Sequence, residues 1–344
     1  MSADLWMDGW VAPGYEGVRD AFALDPRGGS ALAVLRDGKP VVDLREGWRD
    51  SARTQPWDSQ TLVNVYSVGK PVIAFAVLLL VERGLVGLDD PVARHWPSFR
   101  TPASVRQVLA HTAGLPVFPV PRPATAWQEW DLLCADLAAA TPLWEPGTVA
   151  AEHALTYGHL LGELVRRVDG RPPAQFVAAE IAGSLGLDLG FGSIDRTRCA
   201  ELEYDAPDWP DRMLGEPGSL HARAVSNPAG ARDVAVVNSD LWRCASVPAV
   251  NLHATAVAIA RFYAVPQVAR LAVPQFEGVD RFIDSSVLWG LGVQVEPDGS
   301  WGMGGLGGNA GWFDPERGHA IGYVTRRLGD FAAVDRIEAA LQNT

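Results

Sequence analysis

Lysine is almost absent from this chain of 344 residues. Arginine and lysine together number 29, and only two of these residues, Lys39 and Lys70, are lysine. Arginine stays protonated in proteins, whereas a buried lysine can lose its proton. A lysine retained in such a composition therefore indicates a position at which an ionisable amine matters.

Basic residues are fewer than acidic residues, 29 against 41, so the formal net charge at pH 7 is −12. This charge disfavours binding to nucleic acid or to an anionic membrane surface. The longest strongly apolar run, residues 72–81, is about half the length that spans a bilayer, so it is interpreted as a core helix. A hydrophobic content of 48% and a charged content of 20% are typical of a soluble globular protein.

Cysteine is scarce, and the three cysteines at positions 134, 199 and 244 are far apart. They form neither a disulfide framework nor a metal-ligand spacing. Residues 1–17 lack the basic-then-apolar pattern of a signal peptide. We therefore expect a cytoplasmic protein without a metal or a cofactor.

Strands are predicted at both ends of the chain. Residues 30–35 and 40–44 form a predicted hairpin around Asp37-Gly38, a dipeptide typical of tight turns. Three further strands are predicted near the other end, at residues 287–295, 301–311 and 319–325. Between the two ends the hydrophobic pattern is mostly helical.

This order predicts a single α/β (α+β) unit over residues 1–344, with an antiparallel sheet made from both termini and flanked by helices. The sheet lobe is expected at residues 1–64 and 251–344. A mostly helical lobe, residues 65–250, is inserted between the two parts.

Ser67 and Lys70 stand three residues apart at the start of a helix predicted over residues 67–82. This spacing places both side chains on one face. A hydroxyl beside an amine that can lose its proton is one way to make a serine nucleophile. Such a pair also arises by chance at solvated helix starts. Here the apolar run that follows indicates a buried lysine.

With this pair in place, the chain resembles the serine β-lactamase and penicillin-binding-protein superfamily. The resemblance is strongest to its class C and family VIII esterase branch, which includes acyltransferases of natural-product pathways. It covers roughly residues 20–340, and the matching stretches occur in the family's order at residues 66–71, 84–92, 109–115, 145–148, 157–164 and 304–309.

The resemblance implies acyl transfer through an acyl-enzyme on Ser67, with Lys70 holding or accepting the proton. Backbone N–H groups of Ser67 and of Leu306, on a late strand, would stabilise the oxyanion. Gly304 and Gly305 would let the substrate approach that strand closely. Both glycines and Met303 are the predicted substrate-binding residues.

Two departures from the family pattern stand out. The family's second motif begins with a tyrosine, but an ungapped alignment places His153 there, with Glu152 as its neighbour and Tyr157 one helical turn later. Either His153 or Tyr157 would replace the missing phenol as an acid–base group. In the alternative interpretation, His153 is a loop residue and Tyr157 is a packing aromatic. At the position where the family's third motif has a lysine or histidine, this chain has Met303, which carries no charge.

Other residues have two interpretations. His111 would be a general base, or it would pack at a helix end and bond nearby backbone. Trp289, Trp301 and Trp312, near the late strands, would form an apolar site that excludes water, or belong to the core.

Three functions remain open from the sequence. The first is an acyltransferase that moves an acyl group from a small ester or amide donor to a small-molecule acceptor in specialised metabolism. The second is an esterase or amidase with weak or no β-lactamase activity. The third is a binding protein with a dead site, suggested by loss of the family tyrosine. The sequence does not indicate an oligomeric state.

Overall fold

The computed structural model describes residues 6–24, 28–192 and 194–344. Residues 1–5, 25–27 and 193, which the predicted lobes include, lie outside the described part. The strands are β1 Met7–Val11, β2 Gly29–Arg36, β3 Lys39–Gly47, β4 Val63–Asn64, β5 Leu189–Gly190, β6 Glu203–Tyr204, β7 His253–Ala254, β8 Phe276–Asp280, β9 Ser285–Trp289, β10 Gln294–Val295, β11 Trp301–Gly305, β12 Asn309–Asp314, β13 His319–Thr325 and β14 Arg327–Leu328. The α-helices are α1 Glu16–Ala23, α2 Lys70–Glu82, α3 Val92–His95, α4 Val105–Leu109, α5 Trp130–Ala138, α6 Tyr157–Asp169, α7 Pro173–Val177, α8 Trp209–Arg212, α9 Leu220–Ser226, α10 Val234–Val237, α11 Asp240–Arg243, α12 Ala256–Tyr263 and α13 Ala332–Leu341.

Nine strands form one antiparallel sheet, in the order β1-β3-β2-β13-β12-β11-β10-β9-β8. The sheet joins the two ends of the chain because β13 pairs with β2, with Tyr323 opposite Leu32. Most helices lie between the two groups of strands. The predicted fold class, a mixed fold with an antiparallel sheet built from both ends, is confirmed.

The early hairpin is confirmed, and its turn has the predicted residues. Asp37 and Gly38 connect β2 to β3 with φ angles of 50° and 76°. Two successive residues with positive φ make the turn whose twist suits paired strands, and glycine adopts this conformation without strain.

Two of the late strands were each predicted as one strand, but the structure has two paired strands in each of these ranges. Residues 287–295 contain β9 and β10, which pair antiparallel through Trp289 and Gln294. Residues 301–311 contain β11 and part of β12, with Gly305 opposite Asn309. The first reversal contains Gly292 and the second contains Gly307 and Gly308, all with positive φ, which the alternation of apolar residues did not reveal.

The predicted helix at residues 67–82 begins differently from the prediction. Ser67–Gly69 is a 3₁₀ turn, and α2 follows it without interruption, with proline in its first turn. Gly84, with a φ of 69°, follows the end of the helix, as expected of a C-terminal glycine. Because α2 is apolar and packs against α6 and α7, nearly all of it is buried.

Helices cover both faces of the sheet. On one face, α12 packs against β2 and β13. On the other face, α1 and α13 pack together over a cluster that includes Val34, Ile321 and the fully buried Ile337. Among the described helices, none combines the length and apolar character needed to cross a membrane.

We expect Ile337→Ala to lower the free energy of unfolding by about 2–5 kcal/mol, because it removes buried methyl groups and leaves a cavity between α13 and the sheet. Chemical denaturation monitored by tryptophan fluorescence measures this loss. Leu85→Ala is the matched control, because Leu85 is 51% exposed. The control is expected to change stability by no more than about 0.5 kcal/mol. Equal losses in the two variants would contradict the packing described for α13.

Candidate functional site

Ser67 lies at a strained point of the backbone, in the 3₁₀ turn that leads into α2. The residue before it, Tyr66, has a φ of 49°, which non-glycine residues rarely adopt. Ser67 Oγ accepts a hydrogen bond from Lys70 Nζ at 2.6 Å. The structure therefore brings together the two residues that the sequence paired.

Lys70 is completely buried, and its amine has three oxygen neighbours. Nζ lies 2.6 Å from Ser67 Oγ, 2.9 Å from Glu152 Oε1 and 3.4 Å from the Ala249 carbonyl oxygen. Burial lowers the pKa of Lys70, while the contact with Glu152 opposes that shift. The amine is therefore held by a carboxylate as well as by the candidate nucleophile.

Glu152 is the residue that the sequence interpretation missed. It precedes α6, its side chain is 9% exposed, and Ser67 donates a 3.5 Å hydrogen bond to its Oε1. The ungapped alignment placed the family's acid–base position one residue later. An offset of one residue is within the error of such an alignment. The signal in the sequence was therefore an ionisable side chain directly beside the aligned position.

His153 does not reach Ser67, contrary to its predicted acid–base role. Its Nδ1 donates to the Ala151 carbonyl at 2.8 Å, and its Nε2 accepts from the Leu115 N–H at 3.2 Å. Both ring nitrogens are therefore satisfied by backbone. Burial lowers the pKa of His153 to about 4, so the ring is neutral at pH 7.

Tyr157 does not supply the missing phenol either. It begins α6, is fully buried, and donates its hydroxyl hydrogen to the Leu109 carbonyl at 3.0 Å. Burial raises the pKa of this hydroxyl well above its ordinary value. The alternative interpretation, a packing aromatic, is the one the geometry supports.

His111 fastens the segment that carries Glu152. The Ala151 N–H donates to the His111 carbonyl, and the His153 N–H donates to His111 Nδ1, each at 3.1 Å. Burial lowers the pKa of His111 well below its ordinary value, so Nδ1 stays an acceptor. The ring thus packs and bonds backbone, as the second interpretation held, and it fixes both neighbours of Glu152.

Strand β11 passes close to the Ser67 turn. A Cβ atom on Gly305 would lie 2.2 Å from the Val65 carbonyl oxygen, so glycine is required for this approach. Leu306 lies in the turn after β11, not on a strand as predicted, because the following glycines reverse the chain. Its role as an oxyanion donor stays a prediction.

A cavity of about 530 Å³ opens beside Ser67 and Glu152. The predicted substrate-binding residues Met303, Gly304 and Gly305 line it, and so does Leu306. The larger apolar side chains on its walls are Leu155, Trp209, Met213, Val225, Val250, Phe282, Ile283 and Phe331. This volume and lining suit a small organic ligand.

The three late tryptophans do not line this cavity. Trp289 is fully buried and donates its Nε1–H to Asp280 at 2.8 Å. Trp301 and Trp312 line a neighbouring cavity of about 290 Å³ that meets the first at Met303 and Phe331. The tryptophan that lines the cavity with Ser67 is instead Trp209, at the start of α8.

The β-lactamase family profile matches residues 19–344. The chain belongs to the β-lactamase family. The esterase/β-lactamase LipL of Mycobacterium tuberculosis is 34% identical over 343 residues, which cover 88% of this chain and 77% of LipL.

Solved structures of family members agree along almost the whole chain. A penicillin-binding-protein homologue from Caulobacter crescentus is 31% identical with a TM-score of 0.87, and a family VIII carboxylesterase is 29% identical with a TM-score of 0.88. Each comparison covers 98% of this chain and 100% of the other. These β-lactamase-family relatives support serine ester hydrolase activity on this fold.

The described residues also include side chains of the types that bind metal ions in proteins. Across residues 6–24, 28–192 and 194–344, no group of three or more histidine, cysteine, aspartate or glutamate side chains is arranged to hold a metal ion.

We expect His111→Ala to slow acylation of Ser67 by roughly 10-fold to 100-fold, because it frees the segment that positions Glu152. His111→Asn is the matched variant. Asparagine tolerates the φ of 60° at this position, and its side-chain oxygen can accept the hydrogen bond from His153. The rate of inactivation by a fluorophosphonate, followed by intact mass, measures acylation competence. Equal rates in the two variants would contradict a positioning role for the Nδ1 acceptor.

Proposed function

We propose that this protein is a serine esterase that hydrolyses small neutral esters through an acyl-enzyme on Ser67. The observation that carries the proposal is the 2.6 Å contact between Ser67 Oγ and the buried Lys70 amine, at the edge of a largely apolar cavity. The names of the relatives support ester hydrolysis as the reaction class.

In the proposed reaction, Ser67 Oγ attacks the ester carbonyl carbon, and the carbonyl oxygen becomes an oxyanion. The backbone N–H groups of Ser67 and Leu306 would stabilise that charge. Collapse of the tetrahedral intermediate releases the alcohol and leaves the acyl group on Ser67. Water then attacks this ester and releases the acid.

The proposed substrate is neutral near the scissile bond because of Met303. This side chain is on the cavity wall, at the position where the family pattern has a lysine or histidine. A thioether neither donates a hydrogen bond nor carries charge, so it cannot bind the carboxylate of a β-lactam. A neutral ester has no group that needs this partner, and the apolar walls favour its hydrocarbon parts.

We expect Ser67→Ala to reduce kcat/KM for p-nitrophenyl butyrate by roughly 1,000-fold or more, because it removes the nucleophile. Intact mass after treatment with a fluorophosphonate is expected to show one adduct on the native protein and none on the variant. A native protein that neither hydrolyses esters nor forms an adduct would favour the binding-protein alternative. The natural control is Ser246→Ala, since Ser246 is a serine outside this cavity.

Transfer of the acyl group to an alcohol or amine is the second candidate. The apolar cavity walls favour it, because an acyl-enzyme that faces hydrocarbon is less exposed to water and lives longer. The same Ser67 acyl-enzyme serves both reactions, and they differ only in the group that attacks it.

If transfer is the main reaction, adding benzylamine or benzyl alcohol to an ester assay will divert the acyl group to an amide or ester product. Chromatography of the products measures the ratio of transfer to hydrolysis, and this ratio is expected to rise with acceptor concentration. The uncatalysed mixture and Ser67→Ala are the controls. Free acid as the sole product at every acceptor concentration would exclude transfer to these acceptors.

A further inference from the structure

Lys70 makes three contacts that match the donors of an ammonium group. An ammonium has three N–H donors, whereas a neutral amine has two donors and one lone pair. The three neighbours of Nζ are a hydroxyl oxygen, a carboxylate oxygen and a carbonyl oxygen. A neutral amine would keep all three contacts only if its lone pair accepted the Ser67 hydrogen, and the carboxylate at 2.9 Å would then face an uncharged partner. The close carboxylate favours the protonated amine, for which Ser67 Oγ is an acceptor.

The hydrogen of Ser67 then points towards Glu152. Lys70 donates to Ser67 Oγ, so the oxygen of the hydroxyl is already an acceptor on that side. The remaining hydroxyl hydrogen is directed to Glu152 Oε1, 3.5 Å from Oγ. In this geometry the carboxylate, and not the amine, is in a position to take the proton when Ser67 attacks.

Glu152 also faces the space where the substrate would bind. It lines the cavity, and its second oxygen, Oε2, accepts no hydrogen bond from the described residues. The backbone on both sides of Glu152 is fixed by His111. A carboxylate that is held at a fixed position on the cavity wall, with one oxygen on the nucleophile, has the geometry of a general base.

We infer that Glu152 is the general base of the Ser67 acyl-enzyme reaction, in the place of the tyrosine that is typical of the family, with Lys70 as its cationic partner. This inference rests on the proposed function, since it assumes that Ser67 is the nucleophile.

The proton balance of the reaction follows from these positions. In acylation, Glu152 takes the Ser67 proton as Oγ bonds to the carbonyl carbon, and it returns that proton to the departing alkoxide as the ester bond breaks. In deacylation, Glu152 takes a proton from water as the hydroxide bonds to the acyl carbon. It then gives the proton to Ser67 Oγ as the acyl–oxygen bond breaks. Lys70 stays protonated and stabilises the negative charge that develops on Ser67 Oγ, first as the oxygen attacks and later as it leaves the acyl carbon.

The test compares Glu152→Gln, which keeps the size of the side chain and removes the base, with Glu152→Ala in the presence of formate. We expect Glu152→Gln to lower kcat/KM for p-nitrophenyl butyrate by roughly 100-fold to 10,000-fold. We expect formate to restore activity to Glu152→Ala in a saturable manner, because a small carboxylate can occupy the vacated space. Rescue of this kind requires a catalytic carboxylate, and a structural partner of Lys70 would not produce it.

Glu163→Gln is the matched control. Glu163 is a buried carboxylate paired with Arg166 and Arg167, and it lies outside the cavity. Its loss is expected to lower the melting temperature while kcat/KM of the folded protein stays within about twofold. A similar loss of kcat/KM in this control would overturn the assignment of Glu152 by showing that the effect follows from buried charge in general.

The outcomes separate this inference from the proposed function. If Ser67→Ala abolishes hydrolysis and Glu152→Gln keeps the native rate, Glu152 is not the base and the esterase proposal stands. If Glu152→Gln is inactive but Glu152→Ala gains nothing at any formate concentration, Glu152 is a structural partner of Lys70 and the inference is overturned. If Ser67→Ala keeps the native rate, the proposed function itself fails.

Discussion

The burial of the Lys70 amine is the constraint on which the site depends. An unpaired charge inside a protein is strongly destabilising, so a buried amine needs acceptors from several directions. The chain supplies them from three separate segments: Ser67 in the turn before α2, Glu152 before α6 and the Ala249 carbonyl. Holding this one charge therefore assembles the candidate nucleophile and its neighbours. Stability and the geometry of the site have the same origin here.

The rest of the fold holds these segments in fixed positions relative to one another. The Ser67 turn cannot move towards β11, because Gly305 already places the strand against the Val65 carbonyl. Strand β12 also packs closely, because a Cβ on Gly311 would lie 2.6 Å from Ile259 of α12 and 3.2 Å from Val68 of the Ser67 turn. On the far side, His111 holds the Glu152 segment through two hydrogen bonds. Rigid elements thus surround the reacting groups, which is the condition for a preorganised site.

How much the sequence could predict depended on the range of the interactions. The β2–β3 hairpin and the Ser67–Lys70 pair were predictable, because each depends on residues a few positions apart. The late strands were predicted too long. Their glycines were compatible with a strand that substrate approaches closely, and the sequence did not show that some of them reverse the chain. Glu152 was missed because its role depends on contacts with residues more than 80 positions away. No local pattern distinguishes it from His153, whose side chain the backbone of Leu115 and Ala151 holds elsewhere.

Glu152 and Met303 are best understood together. The family pattern has a neutral phenol at one position and a lysine or histidine at the other, a combination that suits a substrate with a carboxylate. In this chain the Glu152 carboxylate, paired with Lys70, lies one residue before the aligned first position, and Met303 at the second carries no charge. A substrate carboxylate would lose its partner at Met303 and meet a like charge at Glu152. Under the proposed function the two changes act together, since both disfavour an anion next to the scissile bond and the carboxylate remains available to accept the proton of Ser67.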